Sequence, residues 1–250
     1  MSKIGSKKFV LLLLVIGVLP FYTSTVRAWG LTGHRVVAEV AYHHLTKKAH
    51  KKVDQVLGKH GMVYWAKWAD EIRSDSTLYP GSDVWHYQDD PIGGELFVKY
   101  DSLVTVLTQN PNDTDALKFV VHLTADRYNP AHLAKTEDAG MNKIKIMWFG
   151  SPSNMHKVWD EGIVDSEGYS YSEYAQMLED KYSHQRAELE KLTLEEATVQ
   201  TKQLIHRIYE YQEQWNGNAY QYIYEWRDEV RWQLYAAGIR LAQVLNAIYR

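Results

Sequence analysis

Near the end of the chain, Val230, Leu234, Ala237, Leu241, Val244 and Ile248 step by 4, 3, 4, 3 and 4 residues. That is the spacing of one face of an α-helix and cannot be reconciled with the period of two of a strand, so it predicts a long helix with one buried stripe. Val36, Val37, Val40, Ala41 and Leu45 repeat the pattern after Thr32-Gly33. Further helical patterns run over roughly 62–72, 99–109, 113–128, 153–162, 171–190 and 193–214, the last two with charged, solvated faces. Only Lys143 to Phe149, alternating and partly β-branched, reads as strand, in a small hairpin. Turn signals cluster at Tyr79-Pro80-Gly81, at Asp90-Pro91-Ile92-Gly93-Gly94 and at Asn110-Pro111-Asn112. No internal repeat, low-complexity linker or break in composition divides the chain. The expected fold class is therefore all-α, a single helical domain.

The first 28 residues stand apart. Lys3, Lys7 and Lys8 precede an apolar run from Phe9 to Leu19, followed by Val26-Arg27-Ala28, the pattern of an export signal with a small-residue cleavage site. The apolar run is too short to span a bilayer, which takes about 20 helical residues, so the expectation is an exported protein with no membrane anchor and a mature domain over 29–250. The 250 residues carry 28 bases against 31 acids, a net charge of −3. Removing Lys3, Lys7, Lys8 and Arg27 leaves 24 against 31, a net of −7. An acidic chain gains little from phosphate contacts unless something other than Lys and Arg supplies positive charge. Cysteine is absent, which excludes a disulfide scaffold, a thiolate metal site and a cysteine nucleophile. Any metal site must use histidine and carboxylate.

The eleven histidines supply candidates. Chance places about 1.4 acids four residues after a histidine, the spacing that shares a helix face, and six are found. His50 with Asp54, His184 with Glu188 and His206 with Glu210 lie in charged stretches and read as surface pairs. His122 to His132 is a different case. His122 and Asp126 share one face of an otherwise apolar helix, and Pro130 ends that helix so that His132 can turn back toward it. That geometry favours a metal site, with a buried, internally satisfied histidine as the alternative. Asn154-Met155-His156-Lys157-Val158-Trp159-Asp160 repeats the geometry, and two aromatic-flanked segments, Trp65 to Arg73 and Trp85 to Asp89, add Asp70 and His86. Cleavage after Ala28 would free the α-amino group of Trp29, whose nitrogen and carbonyl oxygen form a five-membered chelate, with His34 five residues on.

The ordered set resembles the three-zinc, single-strand-specific type I nucleases named for fungal nucleases S-one and P-one. It comprises Trp29-Gly30 with Gly33-His34, Trp68-Ala69-Asp70 with Ile72-Arg73, His86-Tyr87, Leu117-Lys118-Phe119 with His122, Asp126, Pro130 and His132, Gly140 with Asn142, and Asn154-Met155-His156 with Val158-Trp159-Asp160. The resemblance returns at Ala237-Gly238-Ile239-Arg240-Leu241-Ala242. It implies an all-α fold of the phospholipase C/nuclease type with a trinuclear zinc cleft. Asp70, His86, His122 and Asp126 would hold one Zn2+, His132, His156 and Asp160 a second, and Trp29, His34 and the bridging Asp126 a third. Three ions bring six positive charges to a chain of −7, which answers how an acidic protein attracts phosphates. The resemblance further implies cleavage of the P–O3′ bond in single-stranded DNA and RNA to 5′-phosphorylated products, and removal of 3′-phosphates from nucleotides. It places Arg73 and Asn142 beside the scissile phosphate, with Asp126 at the catalytic centre, and gives Tyr87 and Asp89 the base. Arg73 could instead pair with Asp70 or Glu71 on its own helix.

Three departures from the family pattern are Ala125 for Gly, Asn129-Pro130-Ala131-His132 for Gln-Pro-Leu-His, and Gly140-Met141-Asn142 for Gly-Gly-Asn. A side chain at 141 predicts a loop driven out of positive φ, displacing Asn142. The lack of cysteine departs from the disulfide-bonded fungal and plant members and points to a bacterial-type member, periplasmic or extracellular. A phospholipase C-like phosphodiesterase and a catalytically weak zinc-binding relative are the competing expectations. No protein partner is implied.

Overall fold

The computed structural model describes residues 29–75, 77–88 and 94–250. The proposed export signal (1–28) and the base-binding candidate Asp89 lie outside the described residues. Among the described residues twelve α-helical segments follow one another: α1 (Leu31–His43), α2 (Lys47–Leu57), α3 (Gly61–Trp65), α4 (Trp68–Ile72), α5 (Leu96–Gln109), α6 (Thr114–Asp126), α7 (Met155–Lys157), α8 (Ile163–Ser166), α9 (Tyr171–Tyr182), α10 (Arg186–Leu189), α11 (Leu194–Gln214) and α12 (Ala219–Ile248). One antiparallel hairpin, β1 (Lys145–Trp148) with β2 (Ser151–Asn154), pairs Trp148 with Ser151. Its two-residue loop, Phe149 and Gly150, has φ of 49° and 79°, the left-handed pair that a right-twisted two-stranded ribbon requires. The all-α expectation holds. Among the described residues no helix is long and apolar enough to cross a membrane.

The core is built around α6. Every residue from Ala116 to Asp126 is buried, so this helix has no solvated face, and its polar groups must find partners inside the protein. Asp113 starts it by accepting the Ala116 N–H at 2.9 Å, and Asn129 and Pro130 stop it. The stripe that ends the sequence lies on the 30-residue α12, buried from Val230 through Leu241 and half-buried at Val244 and Ile248, and α12 crosses α1 where Gly238 meets Val37 and Val40. Charged faces on α9 and α11 point to solvent, and each helix is opened by a capping box, Ser170 with Glu173 and Thr193 with Glu196.

Several boundaries differ from the sequence expectation. The 62–72 pattern is broken at Ala66 and Lys67, because the Ala66 carbonyl is taken by His122 Nδ1 at 2.7 Å and Asp70 N turns to Lys67 O instead. The 153–162 segment begins in β2 and enters a π turn, Val158–Gly162. The 171–190 pattern is interrupted by a 3-10 turn at Ser183–Gln185. Helix α2 was anticipated only as a charged helical stretch around His50 and Asp54, without bounds.

Candidate metal centre

Six elements converge on one buried cluster. The entry of α1 brings Trp29 and His34; α4 brings Asp70; the 3-10 turn Ser82–His86 brings His86; α6 brings His122 and Asp126; the 3-10 turn Pro130–His132 brings His132; and α7 with its π turn brings His156 and Asp160. All of these except Asp70 are buried, and Asp70 is largely so. Asp126 stands in the middle. Its Oδ1 lies 3.2 Å from His34 Nε2 and 4.0 Å from His132 Nδ1, while its Oδ2 lies 3.1 Å from His86 Nδ1 and 3.3 Å from His122 Nε2. One carboxylate thus faces two groups of ligands through different oxygens. Asp70 Oδ1 sits 3.6 Å from His86 Nδ1 and 3.7 Å from His122 Nε2. Alongside, Asp160 Oδ2 is 3.0 Å from His156 Nε2, and Oδ1 is 3.5 Å from His132 Nε2.

The backbone orients the rings. His122, His132 and His156 each turn Nδ1 toward a carbonyl oxygen, of Ala66 at 2.7 Å, of His86, and of Gly140 at 2.6 Å. A ring held in this way directs Nε2 into the cluster as a lone pair, the arrangement of metal-ligating histidines. The Nε2 atoms of His132 and His156 are buried beside Asp160 without a well-formed hydrogen bond, whereas His86 turns Nδ1 into the cluster, toward Asp126 and Asp70. Three sets have their donor atoms mutually within 4.8 Å: His34, Asp70 and His122; His86, His122 and Asp126; and His132, His156 and Asp160. Buried nitrogen lone pairs that lack donors, beside carboxylates, and a purely N and O set fit divalent zinc.

The electrostatics agree. Burial alone would push the Asp126 carboxyl up, but the charges of His122 and His132 and hydrogen bonds from His122 and His34 hold it well below the usual carboxylate range. Burial likewise opposes ionisation of Asp160, and His156 and His132 still bring it to about 2. Burial disfavours a charged His132, yet Asp126 and Asp160 push it up to about 9. His122 is moved up against its burial by Asp126 and Asp70, whereas at His86 burial wins and the pKa falls. The cluster attracts positive charge, and protons and a divalent cation compete for the same lone pairs.

At the N-terminal side, the Trp29 indole is buried and its Nε1 donates to the Ala125 carbonyl at 2.9 Å, while its own carbonyl oxygen is in close contact with His34 Nδ1. Gly30 N donates to the Asp160 carbonyl at 2.7 Å, tying the start of the described chain to the π turn. A pocket of about 210 Å³ opens over His86, His132 and His156, and Arg73, Tyr87 and Asn142 line it. Arg73 also approaches Asp70 Oδ1 at 3.5 Å, so the pairing with its own helix and the pocket position are both realised.

The displaced loop expected at Met141 is a correction. Ala139, Gly140 and Met141 have φ of 54°, 60° and 67°, so the left-handed conformation survives. Asp138 holds it by accepting the Met141 N–H at 2.6 Å, and the Met141 side chain is fully buried. Asn142, whose Nδ2 donates to the Ala139 carbonyl at 2.8 Å, stays on the pocket wall. The surface histidine pairs lie apart: His50 with Asp54 and His206 with Glu210 are solvent-facing at 3.3 and 3.2 Å. His184, also on the surface, contacts Gln185.

Comparison with known proteins gives the family. The family model for S1/P1 nuclease matches residues 29–250, and the chain belongs to that family. It is 23% identical to Endonuclease 2 of Arabidopsis thaliana over 186 residues, 63% of each chain. It is 29% identical to Nuclease S1 of Aspergillus oryzae over 168 residues, 58% of this chain and 57% of that one. With Nuclease P1 of Penicillium citrinum the identity is 30% over 155 residues, 53% of this chain and 57% of that one. The chain spans about three-fifths of the length of these relatives.

Proposed function

We propose that this chain is an exported zinc-dependent nuclease that hydrolyses the P–O3′ bond of single-stranded DNA and RNA to 5′-phosphorylated products, and that it removes 3′-phosphates from nucleotides. The observation that carries the reading is the position of Asp126, one oxygen toward His34 and the other toward His86 and His122, beside the second set of His132, His156 and Asp160. Asp70, His86, His122 and Asp126 would hold one zinc ion, His132, His156 and Asp160 a second, and Trp29, His34 and Asp126 a third. When bound, such ions act as Lewis acids toward phosphoryl oxygen and acidify water at neutral pH.

The chain's own groups do the rest. Arg73 presents a planar fork to two phosphate oxygens on the pocket wall. Asn142 faces the same space from the loop that Asp138 holds. The Tyr87 ring offers a stacking face to an unpaired base, worth about 1–3 kcal/mol and inaccessible to a base inside a duplex; Asp89 is assigned the hydrogen bond to that base. The buried carbonyls behind His122, His132 and His156 fix ring orientation, so little reorganisation is needed when substrate arrives.

The test combines metal analysis with an assay of end-labelled single-stranded DNA against phosphatidylcholine. Three zinc ions per chain and 5′-phosphate ends are expected; release of a phospholipid head group without DNA cleavage would favour the phospholipase reading. We further assign residues 1–28 to a removable signal. A chain beginning Met-Trp29, with the methionine retained, converts the Trp29 amine to an amide without a lone pair, and should lose or weaken the third ion and most turnover. Full zinc content and activity in that chain would refute the N-terminal ligand.

A further inference from the structure

The second ligand set divides into a local pair and a remote member. His156 and Asp160 lie one helical turn apart, whereas His132 arrives on the 3-10 turn Pro130–His132. One side chain joins the two. Asn129 is fully buried. Its Oδ1 accepts the Ala131 N–H at 3.0 Å and so caps that turn, and its Nδ2 donates to Asp160 Oδ1 at 2.6 Å across 31 residues of sequence. The two bonds also settle which way the amide points, because the flipped form would set an oxygen against the carboxylate and a donor against a donor. Asp160 Oδ1 takes its short bond from Asn129 and lies farther, 3.5 Å, from His132 Nε2, while Oδ2 turns to His156 Nε2 at 3.0 Å.

We propose that Asn129 is a positioning residue for the second ion: it locks the Asp160 carboxylate so that Oδ2 is the oxygen presented to the metal, and it sets the spacing between His132 and the His156–Asp160 pair. The inference rests on reading those three residues as zinc ligands. Partners behind ligating groups commonly govern metal affinity by 10–100-fold, and here a charge-assisted bond to a buried carboxylate would be lost. A cap alone would be a merely structural role, and the two roles can be separated by chain length. Asn129→Ser retains a good N-cap but is too short to reach Asp160.

The experiment titrates zinc into the metal-free mature chain against a chromophoric chelator and resolves the affinity of each ion. His132→Ala identifies the step that belongs to the second site. In Asn129→Ser, that step is expected to weaken at least tenfold while the others stay within twofold of wild type and the helical circular dichroism of the metal-free protein is unchanged. A second-site affinity weakened by less than tenfold would overturn the proposal and leave Asn129 as a cap only. If the serine variant does not fold, Asn129→Thr, which also caps, takes its place with the same criteria. A wild-type chain that binds fewer than three ions counts against the trinuclear reading, and the Asn129 comparison still reads on whichever ion is lost with His132→Ala.

Discussion

Gly238→Ala sets two effects of known size against each other at the crossing of α1 and α12. Replacing Gly by Ala inside a helix favours the folded state by about 1 kcal/mol on propensity alone. A Cβ at 238, however, would lie 2.5 Å from Val40 Cγ1, 2.6 Å from Val40 Cβ and 3.2 Å from the Val37 carbonyl oxygen. Val40 Cβ is fixed to the backbone of α1, so no rotamer change relieves that contact and the helices must part by on the order of 1 Å to regain van der Waals distance. Overpacking of a close-packed core costs about 1–3 kcal/mol, and the upper end applies because backbone rather than a side-chain tip must move. The balance is a loss of about 1–2 kcal/mol, or about 2–8 °C in Tm for a domain of this size. Since α1 carries His34, parting the helices also draws its Nε2 away from Asp126, so the loss should be larger for the zinc-loaded than for the zinc-free protein. Thermal melts followed by circular dichroism, with and without zinc, measure both. An unchanged or raised Tm would mean that propensity wins, and would refute the argument from the close crossing.

Gly140→Ala should be destabilising by about 2–3 kcal/mol, the sum of a left-handed penalty of about 1–2 kcal/mol and a Cβ 2.6 Å from the Ala131 carbonyl oxygen. It should also weaken the second ion by moving the carbonyl that orients His156; a melt and zinc titration equal to wild type would count against this. Tyr209→Phe removes the O–H that donates to Asp138 Oδ2 at 2.6 Å behind the left-handed loop. The expected result is a loss of about 1.5 kcal/mol, the lower end for a bond to a charged group because the site is only half-buried, with lower kcat and unchanged zinc content; undiminished kcat would show that Asn142 does not depend on that anchor. Chelation should lower Tm, because ions bound only by the folded chain stabilise it by mass action; coincident melts would show that the ions do not tie the helices together.

The candidate site was largely legible because its ligands follow helix geometry. His122 with Asp126 and His156 with Asp160 share faces by spacing alone, and Pro130 announces the turn that returns His132. The bounds and buried face of helix α2 escaped because its stripe of Ala49, Val53 and Leu57 is short and set among Lys47, Lys48, Lys51 and Lys52. Asn129 showed itself only as a departure from Gln. The residue before a proline is a recognisable cap candidate, but nothing local announces its bond to Asp160.

The sequence by itself determined the class of fold, through the 3.6-residue period of its apolar stripes, and the chemical type of the site, through a supply of N and O ligands with no thiol. Tertiary structure alone decided which nitrogen of each histidine faces inward, which oxygen of Asp126 faces which group, and that Met141 remains left-handed. Those choices depend on the carbonyls of Ala66, His86 and Gly140 and on the Asp138 carboxylate. Periodicity encodes which face of a helix is buried, whereas the partner met on that face is fixed only when segments distant in sequence, 92 residues apart for His34 and Asp126, pack together.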